Sequence, residues 1–276
     1  MPMRRVTGLL GLLVLPVLAA CGQRTDTTPP VQEPTPPAVT VSHPRGGDQV
    51  LLRIDSGPGM TSSENAFSQP SGLVVAGDGT TYVASRVSSP AGILAPMLRF
   101  TATEADLQLV LGRAREDGLL APPPDYTTPE AVSDAGDTTV TLTADGHTWQ
   151  HRANALGDLE SDTAARNRLD DFVHFAGAWA RQLRTPRAQT VRPDAVRMTA
   201  QEFPGQPGSG LGLGTWPSEA SVRLADVGRC SVVRDPALVR LLDTSPDHVY
   251  RDGGTTYAVA AVVLLPGDSC SASEGS

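Results

Sequence analysis

The chain of 276 residues has no lysine: all 22 of its basic residues are arginine. That absence rules out a P-loop lysine, a Schiff-base lysine and any Ser/Lys or Ser-x-x-Lys acyl-enzyme. A GC-rich coding sequence, which favours Arg, Ala, Gly and Pro, accounts for it. Aromatic residues are also scarce, at 4%, and this weakens a sugar-binding reading based on exposed stacking platforms. No apolar run reaches the roughly 20 residues that a membrane-spanning helix needs. Positive charge is in deficit, the formal balance being −8, which argues against nucleic acid and against a polybasic contact with anionic lipid headgroups.

What the N-terminus does have is the layout of a secretory signal. Met3-Arg4-Arg5 forms a positive region, Val6 to Ala20 is apolar, and the run ends in small residues. Leu18-Ala19-Ala20-Cys21 looks like a bacterial lipobox, so Cys21 is expected to become the first mature residue and to carry lipid. A thioether-linked diacylglycerol and an N-acyl chain, at about 0.8 kcal/mol per buried methylene, would hold the protein on a bilayer. Removing Arg4 and Arg5 with the signal makes the remaining body more acidic still.

Two further cysteines remain, Cys230 and Cys270. In an exported protein they are expected to form a disulfide, the alternative being two free buried thiols.

The expected organisation is a signal peptide over 1–20, a disordered Pro/Thr-rich tether over 21–47, a folded α+β body over 48–270 and a disordered tail over 271–276, with a subdivision near 185–195 left open. Pro29-Pro30 and Pro36-Pro37 sit in a stretch too poor in large apolar side chains to offset the cost of ordering. The body begins with strand-like Gln49 to Asp55, followed by two β-prone runs flanking Gly77-Asp78-Gly79, a hairpin signal.

A capping box at Thr101 and Glu104 then opens a helix with Leu107, Val110, Leu111 and Ala114 on one face. Thr138 to Thr143 and His147 to His151 flank a second Asp-Gly turn. A longer helix is expected from Thr163 to Leu183, ending before Pro186, with a stripe of Leu169, Phe172, Val173, Ala176, Trp179 and Leu183. These two blocks read as one sheet continued. In the last block, Asp235-Pro236 caps a short helix, and the continuously apolar Tyr257 to Leu265 reads as a central strand. The fold class is therefore α+β: a mostly antiparallel sheet, two main amphipathic helices and a disulfide-stapled C-terminal hairpin.

Candidate chemistry meets a simpler account at each place. His147 and His151 are four apart, but on a strand that spacing separates them by about 13 Å, too far for one metal ion; they are expected on a hairpin surface. His174 reads as a packed or half-exposed helix residue. Gly208 to Gly214 lacks the strand, helix and acidic residue of a dinucleotide site and reads as a connector. No serine has a nucleophile context. The carboxylate pairs Glu160/Asp162 and Asp170/Asp171 do not face one another across a cleft as a glycosidase requires. No catalytic residue, metal ligand or cofactor is assigned.

Taken together, Leu18 to Cys21, the Pro/Thr stretch, the Leu-rich helix ending at Gly118, the Asp-Gly hairpin leading to Trp149, and the ending Tyr257 to Pro266-Gly267-Asp268-x-Cys270 resemble uncharacterised secreted lipoproteins of high-GC actinobacteria. The resemblance implies display on the outer face of the cytoplasmic membrane and carries no activity onto particular residues. The expectation is a lipid-anchored, non-enzymatic module that binds an envelope protein or wall component, with no nucleic-acid partner. The alternatives are a hydrolase of wall or peptide substrates and a ligand or metal carrier.

Overall fold

The computed structural model describes residues 40–57, 59–61, 66–85, 92–128, 132–159, 162–205 and 212–270. The signal-like run, Cys21 and the Pro/Thr stretch up to residue 39 lie outside them, as does the C-terminal tail.

Seven strands form the larger sheet: β1 (Val50–Ser56), β2 (Leu73–Ala76), β3 (Thr80–Ala84), β4 (Met97–Thr101), β5 (Asp137–Ala144), β6 (His147–Asn154) and β7 (Gln189–Thr190). Their order is β6-β5-β1-β2-β3-β4-β7 and every neighbouring pair is antiparallel. The two blocks expected to continue one another therefore do share this sheet. The β5–β6 turn shows why Asp-Gly reads so clearly. Asp145 and Gly146 both take positive φ, 50° and 76°, the backbone a two-residue hairpin needs to match strand twist.

Two helices cover one face. α1 (Glu104–Glu116) buries the expected stripe, Leu107, Val110, Leu111 and Ala114. Its capping box, however, is formed by Thr103 and Asp106 and not by Thr101 and Glu104. Thr101 is still paired to Thr80 in the sheet, so the helix cannot begin until the strand has ended. α2 (Ala164–Arg187) runs past the expected stop, the Ala188 amide donating to the Arg184 carbonyl at its end. It buries Leu169, Phe172, Ala176, Trp179 and Ala180 against the sheet, while Val173 and Leu183 are half-buried. Leu169 and Phe172, fully buried, contribute roughly 1.5–3 kcal/mol each to holding this helix on that face.

The second sheet has five strands, β8 (Val196–Glu202), β9 (Leu213–Thr215), β10 (Ser231–Val233), β11 (Val249–Asp252) and β12 (Thr255–Val263), in the order β10-β8-β12-β11-β9. β12 is central, as its unbroken apolar run implies. Only β9 pairs parallel, to β11. Two short helices, α3 (Leu224–Val227) and α4 (Pro236–Thr244), pack on it, with Asp235 capping α4 through the Ala237 and Leu238 amides.

Val263 and Leu265, at the end of β12, join Val74 and Met97 in a small apolar cluster on the other face of the larger sheet. A disulfide links Cys230 to Cys270, with their Cα atoms 5.5 Å apart.

The chain packs earlier than its composition suggests. Val41, expected in the tether, is only 1% exposed. Its amide donates to the Gln108 side chain and its carbonyl accepts from it, both at 2.9 Å. Gln108 thus mimics a β-ladder partner, satisfying both backbone groups of one residue.

Candidate functional site

Three polar centres and one groove at the margin of the main apolar cluster stand out, and the arrangement of their charges separates structural from available chemistry.

The first centre is wholly internal. Arg166, fully buried, extends from the first turn of α2. Its Nε pairs with Asp162, Nη1 donates to the Tyr126 carbonyl at 2.9 Å, and Nη2 donates to the Asn154 and Ala155 carbonyls at 2.9 and 3.0 Å. One guanidinium thereby ties α2 to the loop before β5 and to the end of β6. Beside it, Tyr126 Oη lies 2.8 Å from His151 Nδ1, and His151 Nε2 lies 2.9 Å from the Leu119 carbonyl. A carbonyl only accepts, so Nε2 carries the proton and Nδ1 accepts from the tyrosine. His151 is thus not the hairpin-surface residue expected from sequence. It is fully buried, because β6 turns alternate side chains inward and this one meets two polar partners. His147, four residues back, is exposed and packs on Trp149 at 5.3 Å between ring centroids.

Burial pushes the His151 imidazole below its ordinary pKa, against a smaller opposing effect of the Leu119 carbonyl. Burial also raises the Tyr126 phenol to about 12. The unfolded chain then takes up a proton on His151 more readily than the folded one. The stability this group contributes is present above about pH 6.5 and is lost as pH falls through the folded value. Wild-type protein should accordingly show a larger drop in urea midpoint between about pH 7.5 and about pH 5.5 than His151→Gln does. Equal drops would remove His151 from the account.

The second centre clamps the start of the folded chain. Glu104 receives hydrogen bonds from Gln108, His43 and Arg45, and these hold its carboxyl down at about 2. The third lies on the far face of the larger sheet. Arg53 pairs with Asp268 at 2.6 Å and with Asp55 at 2.9 Å, and donates to Ser71 Oγ at 2.6 Å. Asp268 also accepts from the Leu265 amide at 2.8 Å. A polar hollow of about 500 Å³ opens beside it, bordered by Thr141, Thr143, Thr148 and Gln150. Because each donor group of Arg53 meets an acceptor of the same fold, this centre reads as a fastening for the C-terminal segment.

The groove differs from all three. A cavity of about 360 Å³ lies between α2 and strands β1 to β3. Its floor is a row set by strand register, Ile54 opposite Leu73 opposite Val83. Its roof is the flank of α2 that carries Val173, Gly177 and Ala180. The space exists because Gly177 and Ala180 contribute almost no side-chain volume where larger residues would reach the floor. Arg181 and Arg184 line the same groove, and among the described residues neither has a carboxylate partner. Arg181 is folded back along the helix, since a Cβ placed on Gly177 would lie 3.3 Å from its Nη1. His174, at the rim, faces Asp170 at 3.5 Å. The size, apolar lining and few polar groups fit a small-molecule pocket at the small end of the usual range.

The other sequence candidates fall apart in space. Glu160 lies outside the described residues, while Asp162 pairs with Arg166 and Asp170 faces His174 at 3.5 Å. Of the glycine-rich run, residues 206–211 lie outside the described residues and Leu213–Thr215 is β9. Gly214 is required by packing, as a Cβ there would come within 2.6 Å of the Tyr250 ring. Among the described residues no histidine hydrogen-bonds a serine, and no group of three or more His, Cys, Asp or Glu is gathered to hold a metal. Sequence reasoning missed Arg166 and the groove. The four-residue spacing from Asp162 to Arg166 at a helix start was a usable signal for the first, whereas the second depends on residues about a hundred positions apart.

Comparison with protein-family models, with curated proteins and with solved structures returned no match.

Proposed function

We propose that the chain is a lipid-anchored extracytoplasmic protein of the cell envelope whose folded body is a non-enzymatic binding module, with the groove under α2 as its binding element. The observation that carries the first half is the pairing of Cys230 with Cys270. A disulfide belongs to an oxidising compartment, and its formation leaves Cys21, at the end of the signal-like run, as the one cysteine without a bonded partner in the sequence. No helix among the described residues is long and apolar enough to cross a membrane; on this proposal, lipid on Cys21 holds the protein to the bilayer.

The second half is supported by the contrast between the polar centres, whose charges are satisfied from within the fold, and the groove, whose two arginines are not. A hydrolase would need a nucleophile or water-activating group beside the groove, and its described lining offers only Ser56 and His174, the latter turned to Asp170.

Replacing Cys21 with Ser should move the protein from the membrane fraction to the soluble extracytoplasmic fraction almost completely, read by immunoblot after carbonate washing. A Cys21→Ser protein that stays with the membrane refutes the anchoring.

A further inference from the structure

We infer that the groove under α2 binds a small phosphate monoester with an apolar body, its chain lying on Ile54, Leu73 and Val83 and its phosphate held by Arg181 and Arg184. The inference deepens the binding-module reading and rests on that part of it, not on the anchor.

Three observations converge on this ligand chemistry. The floor and roof are aliphatic, so whatever fills the space must present an apolar surface to be favoured over water. The two arginines stand three residues apart on one edge of α2, and both line the groove. Such forks bind phosphate oxygens in pairs, and a dianionic phosphate matches two positive charges where a single carboxylate would leave one uncompensated. Finally, neither guanidinium has a carboxylate partner among the described residues, in a chain whose net charge is −8, so both can meet an anion. Position near the C-terminal end of α2 complements the helix dipole and explains the presence of positive charge there. Arg181 leans back over Gly177, as long helical side chains do, so that its Nη1 lies 3.3 Å from where a Cβ on residue 177 would stand. With a leucine at 177 the groove would be filled; glycine keeps it open and leaves room for the guanidinium.

The test uses hexyl phosphate, titrated calorimetrically into the purified full chain in the presence of phosphatidylcholine nanodiscs, with empty nanodiscs as background. Saturable one-to-one binding is expected. Arg181→Gln/Arg184→Gln should weaken it roughly tenfold or more, since charge-assisted bidentate contacts are lost. Gly177→Leu should weaken it to a similar extent by occupying the space. Circular dichroism and thermal melting establish that each variant is folded, and the glutamine pair, on the helix flank, leaves the buried stripe untouched.

Hexanol should bind at least about tenfold more weakly than hexyl phosphate, and inorganic phosphate should give no saturable heat. Replacing part of the phosphatidylcholine by phosphatidic acid, whose headgroup is a phosphate monoester, distinguishes the sources of the ligand: competition points to a membrane lipid headgroup, and undiminished binding to a soluble phosphate ester. Binding that survives the double glutamine substitution, or inorganic phosphate binding as well as the hexyl ester, would overturn the assignment. So would absence of binding to the wild-type chain. Each of these results leaves the Cys21 fractionation untouched, so the ligand and the anchor fail separately.

Discussion

Arg166→Met should lower the free energy of unfolding by about 3–5 kcal/mol, the cost of breaking a buried ion pair by removing one partner. The methionine is of similar length and apolar, so little volume is lost. What is lost is the compensation of Asp162, whose side chain is only 6% exposed, and the donors for three backbone carbonyls, those of Tyr126, Asn154 and Ala155. A buried acceptor left without a donor costs about 1–3 kcal/mol, so the carbonyls alone would make the substitution severe. Equilibrium urea unfolding measures it, and a loss under about 1 kcal/mol would show that water replaces the guanidinium. Adding Asp162→Asn to Arg166→Met should recover part of the loss, because the charge abandoned in the single variant is gone. That non-additivity is the signature of a coupled pair.

Removing the crosslink is the second large perturbation. Cys230→Ser/Cys270→Ser opens a loop with a sequence separation of 40, and the chain-entropy model assigns such a loop about 4 kcal/mol at 25 °C. The effect should have a local component too. Cys270 follows Asp268 by two residues, and Asp268 is the partner of Arg53. Freeing the sulfur should loosen the segment from Leu265 onward and reduce amide protection there more than in β12 itself. Hydrogen exchange by mass spectrometry reads this directly. If the double serine protein unfolds at the same urea concentration as wild type, the staple is not what holds this end of the chain.

Much of the architecture could be read from the sequence because local signals and tertiary demands agree. The Asp-Gly turns, the 3.6-residue stripe of α1 and the apolar run of β12 each specify one conformation, and the structure contains all three. Reading failed where polar composition concealed burial. The β6 run His-Thr-Trp-Gln-His-Arg looks like a solvated edge, yet alternation sends Trp149, His151 and Ala153 to one side, and a tyrosine 25 positions earlier makes His151 tolerable in the core. Val41 and His43 were hidden in the same way by neighbouring prolines and threonines. The split into two sheets, and the lone parallel pairing of β9 with β11, follow from long-range contacts that no local pattern encodes. The groove was least legible of all, because it is defined by what Gly177 and Ala180 lack opposite a strand row set by register.

The clamp on Val41 also has a mechanical meaning. Tension applied to the chain N-terminal to this residue arrives first at the paired bonds from Gln108 and then at Glu104 with His43 and Arg45, all of which belong to α1 or are held by it. The load would pass into a helix packed by four buried side chains and, through the two hydrogen bonds that Ser42 exchanges with Asp145, into the β5–β6 turn. A protein pulled from its N-terminal end would thus yield first at residues 41–45, while the strands that floor the groove stay paired.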